Sequence, residues 1–255
     1  TRDLRCDRQW DILGDSHYCN TQQFSVVGCA EEAMNMVVRS AAQKTSLETL
    51  AFLDPCLAWE VEGDPQMIKR TVLKLAAFFG THATQLEGLM LSVRQEDCND
   101  KGFTACFELS AYSSGGELAA FKEHTARDLR PWTAGGGGYF DSPVDGSFAP
   151  WLARRLVQRM SGSTVDSGAE SRLVFTLPMR WAKKSTVPTR VAVQPNTSKY
   201  IMQPSVLLVD TMPPFRSALR HYCEVWGFRV VAGDTLSAAR AELRNAFFTV
   251  LLISL

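Results

Sequence analysis

The sequence predicts an α/β protein made of two consecutive units, a sandwich of helices and strands followed by a partial, doubly wound parallel sheet. Three observations lead to this prediction. Apolar residues recur at helical spacing over residues 64–80, which is typical of a buried amphipathic helix. Two stretches with period-2 alternation follow and indicate paired strands. Beyond residue 204 the pattern becomes strand, helix, strand, helix, strand, the order of a right-handed doubly wound sheet.

The composition is that of an ordinary globular chain. Its 255 residues are 45% hydrophobic, which is enough to build one large core or two smaller ones. The 27 basic residues balance the 27 acidic residues, so no global field favours nucleic acid or an anionic membrane. No apolar run approaches the roughly 20 residues of a membrane helix, and the N-terminus lacks the pattern of a signal peptide. We therefore expect no nucleic-acid partner and no direct membrane contact within this chain.

The cysteines predict neither a zinc site nor a disulfide framework. They are odd in number, scattered, and never form a CxxC motif, which is typical of unpaired thiols in a reducing compartment. We expect them to act as small buried hydrophobic residues. The seven positions are Cys6, Cys19, Cys29, Cys56, Cys98, Cys106 and Cys223.

The first unit is predicted to begin after a polar, turn-rich lead-in, residues 1–24. Ser25 is a natural N-cap for an amphipathic helix that follows it. Residues 47–53 alternate as a strand does. The next helix begins after Asp64, a favoured N-cap residue, with Pro65 at its first position.

Two strands, residues 88–95 and 103–112, are predicted to form a hairpin with a polar turn at residues 96–100. Residues 113–148 are rich in glycine and proline and predict a mobile loop. A helix over residues 147–160 then tolerates Pro150 only in its first turn.

The first unit is predicted to close with a strand at residues 171–179. Residues 180–204 are polar, lack periodicity and indicate a linker. The second unit then has predicted strands at residues 205–209, 227–231 and 249–255 and predicted helices at residues 215–226 and 236–247.

Taken in order, these elements resemble the C-terminal part of a hybrid sensor histidine kinase. The resemblance implies that residues 25–179 form a histidine-kinase-type ATP-binding domain, a Bergerat-type α+β sandwich. It also implies that residues 205–255 form the N-terminal half of a receiver-like domain with a flavodoxin-like parallel sheet. The strings that carry it are Gln43-Lys44, Gly63-Asp64-Pro65, the stretch from Leu156 to Gly162, Phe175-Thr176-Leu177-Pro178, and Val206-Leu207-Leu208-Val209-Asp210 with Trp226-Gly227-Phe228.

Departures from the family pattern fall on the residues that would bind the nucleotide. The family's central helix carries two Asn positions and a basic one, which align here with Lys74, Phe78 and Thr81. Magnesium prefers hard oxygen ligands, so a phenyl ring at residue 78 removes a ligand. The resemblance therefore predicts that Phe78 fills the space of magnesium and phosphate.

The other two nucleotide boxes also depart from the pattern. The family's adenine-binding Asp aligns with Ala111, in a segment that continues to Gly115, and an alanine cannot accept the adenine hydrogen bond. The glycine-rich phosphate loop is reduced to Gly146, between an acidic residue and a proline that lacks a backbone donor. The run of four glycines at residues 135–138 lies too early to replace it. We therefore expect ATP and magnesium binding to be lost.

The receiver-like part shows a similar loss. Asp210 keeps one of the acidic residues that hold magnesium in active receivers, but Thr211 follows it. The phosphate-accepting position falls on Ser254, and a serine there cannot form the acyl phosphate. The resemblance therefore implies a pseudoreceiver, with Asp210 as a remnant of the metal site.

Histidines and aromatic residues in loop sequence offer few further candidates for a functional site. His17 and His124 lie in turn or loop sequence and are expected to be solvated. His82 and His221 are expected to pack or cap, because they lie on or near apolar helices. Trp132 and Trp181 lie in loop or linker sequence, where an aromatic residue can be a docking anchor.

The leading hypothesis is thus a catalytically degenerate two-component module that acts by protein recognition in a phosphorelay. Its expected partners are a kinase, a phosphotransfer domain or a response regulator, with homodimerisation through regions outside this chain. One alternative is the ATP-binding fragment of an active hybrid kinase with an altered nucleotide site, which would use ATP and magnesium. Another is a pocket repurposed for a different ligand. The expected location is the cytoplasm, as a free protein or as part of an inner-membrane sensor.

Overall fold

A computed structural model of the chain describes residues 20–41, 47–54, 57, 60–83, 86–113, 116–117, 148–165, 171–182 and 203–254. The chain divides into two units, Thr1–Ala111 with Ala119–Pro188 and Tyr112–Leu118 with Thr189–Leu255. Helices and strands are mixed in the larger sheet region and alternate in the smaller one, so the predicted fold class is confirmed. The predicted domain boundaries stay predictions.

The larger sheet has a six-strand path in the order β1-β3-β8-β5-β4-β2, with β6 paired to β5 and β7 paired to β8. It is mixed, because β2 and β4 run parallel whereas β5 and β8 run antiparallel. Its strands are β1 (Gln22–Ser25), β2 (Glu48–Leu53), β3 (Glu60–Gly63), β4 (Gly88–Asn99), β5 (Gly102–Ser113), β6 (Gly116–Glu117), β7 (Ser163–Val165) and β8 (Arg172–Trp181).

Three helices accompany this sheet, α1 (Val26–Ala41), α2 (Pro65–His82) and α3 (Phe148–Arg159). The middle one, α2, packs against both of the others. Its apolar stripe is fully buried together with the strand side chains that form the core, where Phe107 stacks on Phe175 with 4.9 Å between ring centroids. The predicted amphipathic helix is therefore confirmed as a core helix.

Both predicted N-caps are present. Asp64 Oδ1 accepts hydrogen bonds from the backbone N–H groups of Gln66 and Met67, each at 3.0 Å. Ser25 Oγ accepts from the N–H of Gly28 at 3.1 Å. These bonds satisfy N–H groups that a helix leaves without an intrahelical partner.

The junction between α1 and α2 contains a buried lysine. Lys69 Nζ lies 2.7 Å from Glu32 Oε2, and Cys29 Sγ donates to the carbonyl of Pro65 at 3.6 Å. Burial raises the pKa of Cys29 to about 12, so this thiol stays protonated at neutral pH. The bridge joins the N-terminal halves of two helices that pack against each other.

The hairpin has a tighter turn than predicted. Strand β4 continues to Asn99, and the turn consists of Asp100 and Lys101 alone. Asn99 Oδ1 accepts from the N–H groups of Lys101 at 2.9 Å and Gly102 at 3.2 Å. A Cβ atom at Gly102 would lie 1.9 Å from the carbonyl oxygen of Met179, so only glycine fits there.

Other strand assignments also differ from the prediction. Residues 22–24 belong to β1 and not to an irregular lead-in, because they pair with β3. Strands β3, β6 and β7 were missed, and β6 lies within the stretch that was predicted to be a mobile loop. Strand β8 continues through Trp181, whose ring packs on Phe103 at 5.1 Å and whose Nε1 donates to the carbonyl of Asn99. Trp181 is therefore part of the sheet and not a docking anchor in a linker.

The second unit contains the predicted parallel sheet, in the order β10-β9-β11. Its strands are β9 (Ser205–Val209), β10 (Arg229–Gly233) and β11 (Val250–Ile253), and its helices are α4 (Pro213–Val225) and α5 (Leu236–Asn245). Every residue of β9 is buried, whereas those of β11 are 37–46% exposed.

Candidate functional site

Aromatic packing buries Phe78 on the α2 face that the sequence comparison aligned with a nucleotide site. Phe78 is only 1% exposed, and its ring stacks on His82 with 4.2 Å between centroids. His82 is also buried, with Nδ1 3.0 Å from the carbonyl of Phe78. The prediction that His82 packs is thus confirmed.

Lys74 and Thr81 share this face with Phe78, because they lie four and three residues away along the helix. Thr81 is exposed and donates its hydroxyl to the carbonyl of Ala77 at 2.8 Å. Lys74 is half-buried. Among these three side chains only Thr81 has an oxygen, whereas magnesium is usually held by carboxylate or amide oxygens. The residues present therefore do not fit a magnesium ion.

Ala111, the residue aligned with the family's adenine-binding Asp, has no polar side chain. Ala111 lies in β5, is completely buried, and donates its backbone N–H to the carbonyl of Ser171 at 2.9 Å. Gly115 and Gly146 lie outside the described residues, so the predictions for these two positions stay predictions.

In the second unit, the structure brings Asp210 and Ser254 to the same edge of the parallel sheet. Val209 of β9 and Ile253 of β11 are register partners. Asp210 directly follows Val209, and Ser254 directly follows Ile253. The N–H of Ser254 donates to the carbonyl of Val209 at 2.9 Å. This edge, the carboxyl end of the strands, is where ligands bind in open α/β sheets.

Asp210 is a buried carboxylate, only 1% exposed. Its Oδ1 accepts from the N–H of Met212 at 2.7 Å, and Arg216 Nη1 donates to its backbone carbonyl at 2.6 Å. Burial raises the pKa of Asp210, and the Met212 hydrogen bond and the Arg216 charge oppose the rise. Within the described ranges, no cluster of three or more His, Cys, Asp or Glu side chains is suited to a metal ion.

The remaining predicted positions separate into three groups. His221 is exposed on α4, with its ring centroid 6.5 Å from that of Tyr222, and the expectation that it packs or caps stays a prediction. The described cysteines are free, and Cys98 alone among them is exposed. The predictions for His17, His124, Trp132 and residues 135–138 fall outside the described residues.

The sequence did not reveal a cavity of about 330 Å³ in the first unit. It is lined by residues of β3 and β8, by the start of α2 and by the residues that follow α3. A sequence pattern cannot reveal this site, because the cavity depends on the register between β3 and β8.

The chain shares its fold with a solved structure. Among solved structures, full-length ShkA in complex with AMPPNP aligns with a TM-score of 0.61 and 14% sequence identity, over 92% of this chain and 54% of that chain. The histidine kinase AdeS of Acinetobacter baumannii aligns with a TM-score of 0.43 and 12% identity, over 69% of this chain and 74% of that chain. This chain thus spans about half the length of ShkA.

No protein-family model matches the sequence, and no curated protein matches it either. At 14% identity, the similarity to ShkA shows a shared fold, so function has to be argued from the site. None of the described helices is long and apolar enough to cross a membrane.

Proposed function

We propose that this chain is a catalytically degenerate two-component signalling module, a pseudokinase joined to a pseudoreceiver, which acts by protein recognition. The observation that carries the proposal is Phe78, which is 1% exposed and stacked on His82. In the histidine kinase pattern this position supplies a magnesium ligand. A buried phenyl ring has no ligating atom, and it occupies the volume that a ligating side chain and its ion would share.

The second unit supports the same proposal. Asp210 keeps one carboxylate at this edge of the sheet. The residue after it is the exposed Thr211, and the residue that follows β11 is Ser254. A hydroxyl at residue 254 cannot form an acyl phosphate. The chain therefore neither phosphorylates nor accepts a phosphoryl group, and its partners are other two-component proteins: a kinase, a phosphotransfer domain or a response regulator.

A second candidate is the ATP-binding part of an active hybrid kinase with an altered site. The fold is shared with ShkA, whose structure contains AMPPNP. In that case ATP and magnesium would be bound by residues other than Lys74, Phe78 and Thr81.

Isothermal titration of the full chain with ATP and magnesium distinguishes the two candidates. We expect no saturable heat, because the helix lacks the ligand at residue 78. A matched variant, Lys74→Asn, restores the family's amide at a half-buried position without opening the core. We expect this variant to show no ATP binding either, because Phe78 still blocks the site. Micromolar binding by the unchanged protein would refute the pseudokinase proposal and support the second candidate.

A further inference from the structure

Helices α2 and α3, which pack against each other, carry charge of one sign only. Together they contain six lysine and arginine residues and no acidic residue, although the chain as a whole is neutral. The six are Lys69, Arg70, Lys74, Arg154, Arg155 and Arg159. Such a local excess of cations produces a positive field at the surface, which the net charge of the chain does not reveal.

Three of these cations have no opposite charge beside them. Lys69 is already paired with Glu32 at 2.7 Å. Arg70 and Arg155 are exposed, and Lys74 is half-buried. None of these last three side chains has an ion-pair partner among the described residues. They are therefore available to an anion that comes from outside the chain.

Arg155 and Arg70 lie at similar heights on the two packed helices. Arg159, at the C-terminal end of α3, lines the same cavity as Asp64 and Ile68 at the start of α2. Since the body of α3 also packs against α2, the two helices run antiparallel. Arg155 is one turn before Arg159, and Arg70 is within one turn after Ile68. With helix axes about 8 to 10 Å apart, the two exposed guanidinium groups belong to one surface.

Arg70 and Lys74 both point away from α1. This helix contacts α2 at Pro65 and at Lys69. Arg70 is five residues beyond Pro65, and Lys74 is five residues beyond Lys69, which corresponds to about 140° around a helix. Because the side chains of α2 that face the sheet are buried, the open side left to these two residues is the one next to α3. Arg70, Lys74 and Arg155 thus form one surface, which we call the basic stripe.

The α3 part of the basic stripe is oriented and crowded. Arg155 Cζ lies 5.7 Å from the centre of the Trp151 ring, and this cation–π contact holds the guanidinium group over a buried ring. Burial lowers the pKa of the neighbouring Arg154, and the charge of Arg155 lowers it further. Like charges therefore repel each other here, and a bound anion would relieve the repulsion.

We propose that the basic stripe docks an acidic helix of a partner protein, an inference that rests on the proposed role in protein recognition. Arg70 and Lys74 are one helical turn apart, a spacing that matches carboxylates at every fourth position of a second helix. Arginine suits a carboxylate because its planar fork donates two parallel hydrogen bonds.

Two other anionic partners suit this surface less well. Single-stranded nucleic acid stacks its bases on accessible aromatic side chains, whereas Trp151 is buried. An anionic membrane binds helices through an exposed apolar face, whereas the apolar stripe of α2 is buried. The charge of the surface, without apolar or aromatic area, favours a protein segment with spaced carboxylates.

Binding to the full chain is tested with an alanine-rich helical peptide that has Glu at every fourth position. The control peptide has Gln at the same positions. Fluorescence anisotropy of the labelled peptides gives affinities in the absence of ATP and magnesium. We expect the Glu peptide to bind at least about tenfold more tightly than the Gln peptide, because several surface ion pairs act together. Its affinity should fall between about 0.1 M and about 1 M salt, where the Debye length shortens from about 10 to about 3 Å.

Charge reversal assigns the binding to the basic stripe. The double variant Arg70→Glu with Arg155→Glu should weaken the Glu peptide at least about tenfold. The milder pair Arg70→Gln with Arg155→Gln should weaken it about threefold, and it serves if the reversed variant does not fold. Arg39→Glu is the matched control, because Arg39 is exposed on α1, and it should change the affinity by less than about twofold.

Three outcomes would overturn the proposal. The Gln peptide could bind as tightly as the Glu peptide, or the stripe variants could bind the Glu peptide as the unchanged protein does. A single-stranded oligonucleotide of the same net charge could also bind more tightly than the Glu peptide, which would make nucleic acid the partner. Saturable ATP binding together with selective binding of the Glu peptide would refute the pseudokinase proposal alone, so the two failures are distinguishable.

Discussion

Asp64 in the first unit and Asp210 in the second occupy the same local pattern. Each follows a strand, β3 or β9, and each lies shortly before a helix that begins at a proline, Pro65 or Pro213. Both carboxylates are buried, with 8% of Asp64 and 1% of Asp210 exposed. The difference lies in what the carboxylates accept.

Asp64 accepts three backbone hydrogen bonds, from Gln66, Met67 and Asn20. Asp210 accepts one, from Met212, and burial raises its pKa. Burial disfavours the charged form of a carboxylate that has few hydrogen-bond donors, and Asp210 is such a group. The same pattern thus produces a structural cap in one unit and a destabilised acid in the other, so Asp64→Ala and Asp210→Asn should have opposite effects on stability.

Removal of the first carboxylate should have the largest effect. Asp64→Ala leaves the N–H groups of Gln66 and Met67 without their cap, and we expect a loss of about 1 to 2 kcal/mol in the free energy of unfolding. Chemical denaturation of the full chain, followed by circular dichroism, measures it. Asp64→Asn is the matched control, because its Oδ1 still accepts and the loss should be smaller. Equal losses in the two variants would show that the charge, and not the cap, stabilises α2.

This difference also marks how far the sequence predicts the structure. The cap at Asp64 is local, since a favoured N-cap residue followed by proline defines it within two positions. The burial of Asp210 is not local, because it depends on how β10 and β11 flank β9. Period-2 and helical patterns therefore predicted most elements of both units, but not the environment of this acid.

Trp181 and β11 show the same limit. Trp181 lies at the start of a polar, proline-containing stretch that resembles a linker, yet strand pairing with β3 keeps it in the sheet. The apolar stretches of β9 and β11 are almost alike in composition, yet β9 is buried and β11 exposed. Composition predicts that a segment is a strand, whereas its burial depends on elements that are distant in sequence. The cavity lined by Glu62 of β3 and Arg180 of β8 was missed for this reason.

A smaller effect of opposite sign is expected for Asp210→Asn. Since burial raises the folded pKa of Asp210 above its ordinary value of 3.8, the folded state binds this proton more tightly than the unfolded state. The charged form therefore costs stability above the folded pKa, and the cost disappears as the pH falls below 3.8. Asp210→Asn keeps an acceptor for Met212 and should raise the thermal midpoint at neutral pH.

Thermal denaturation over a series of pH values checks this prediction. The advantage of Asp210→Asn should shrink toward acid and should not change when magnesium chloride is added. If magnesium stabilises the unchanged protein but not the variant, Asp210 binds a metal ion, and the second unit is not degenerate in the sense proposed above. A variant that is less stable at neutral pH would show that the carboxylate is a cap like Asp64.

The smallest effect concerns the cation beside Asp210. Arg216 donates to the backbone carbonyl of Asp210, and its charge lowers the pKa of that carboxyl. Arg216→Gln removes the charge, so the pKa of Asp210 should rise further, whereas Arg216→Lys keeps the charge and should change it less. NMR titration of the Asp210 side-chain carboxyl carbon measures both. Equal pKa values in the two variants would mean that burial and the single Met212 hydrogen bond determine this acid alone, and that the contrast with Asp64 depends only on the number of N–H donors.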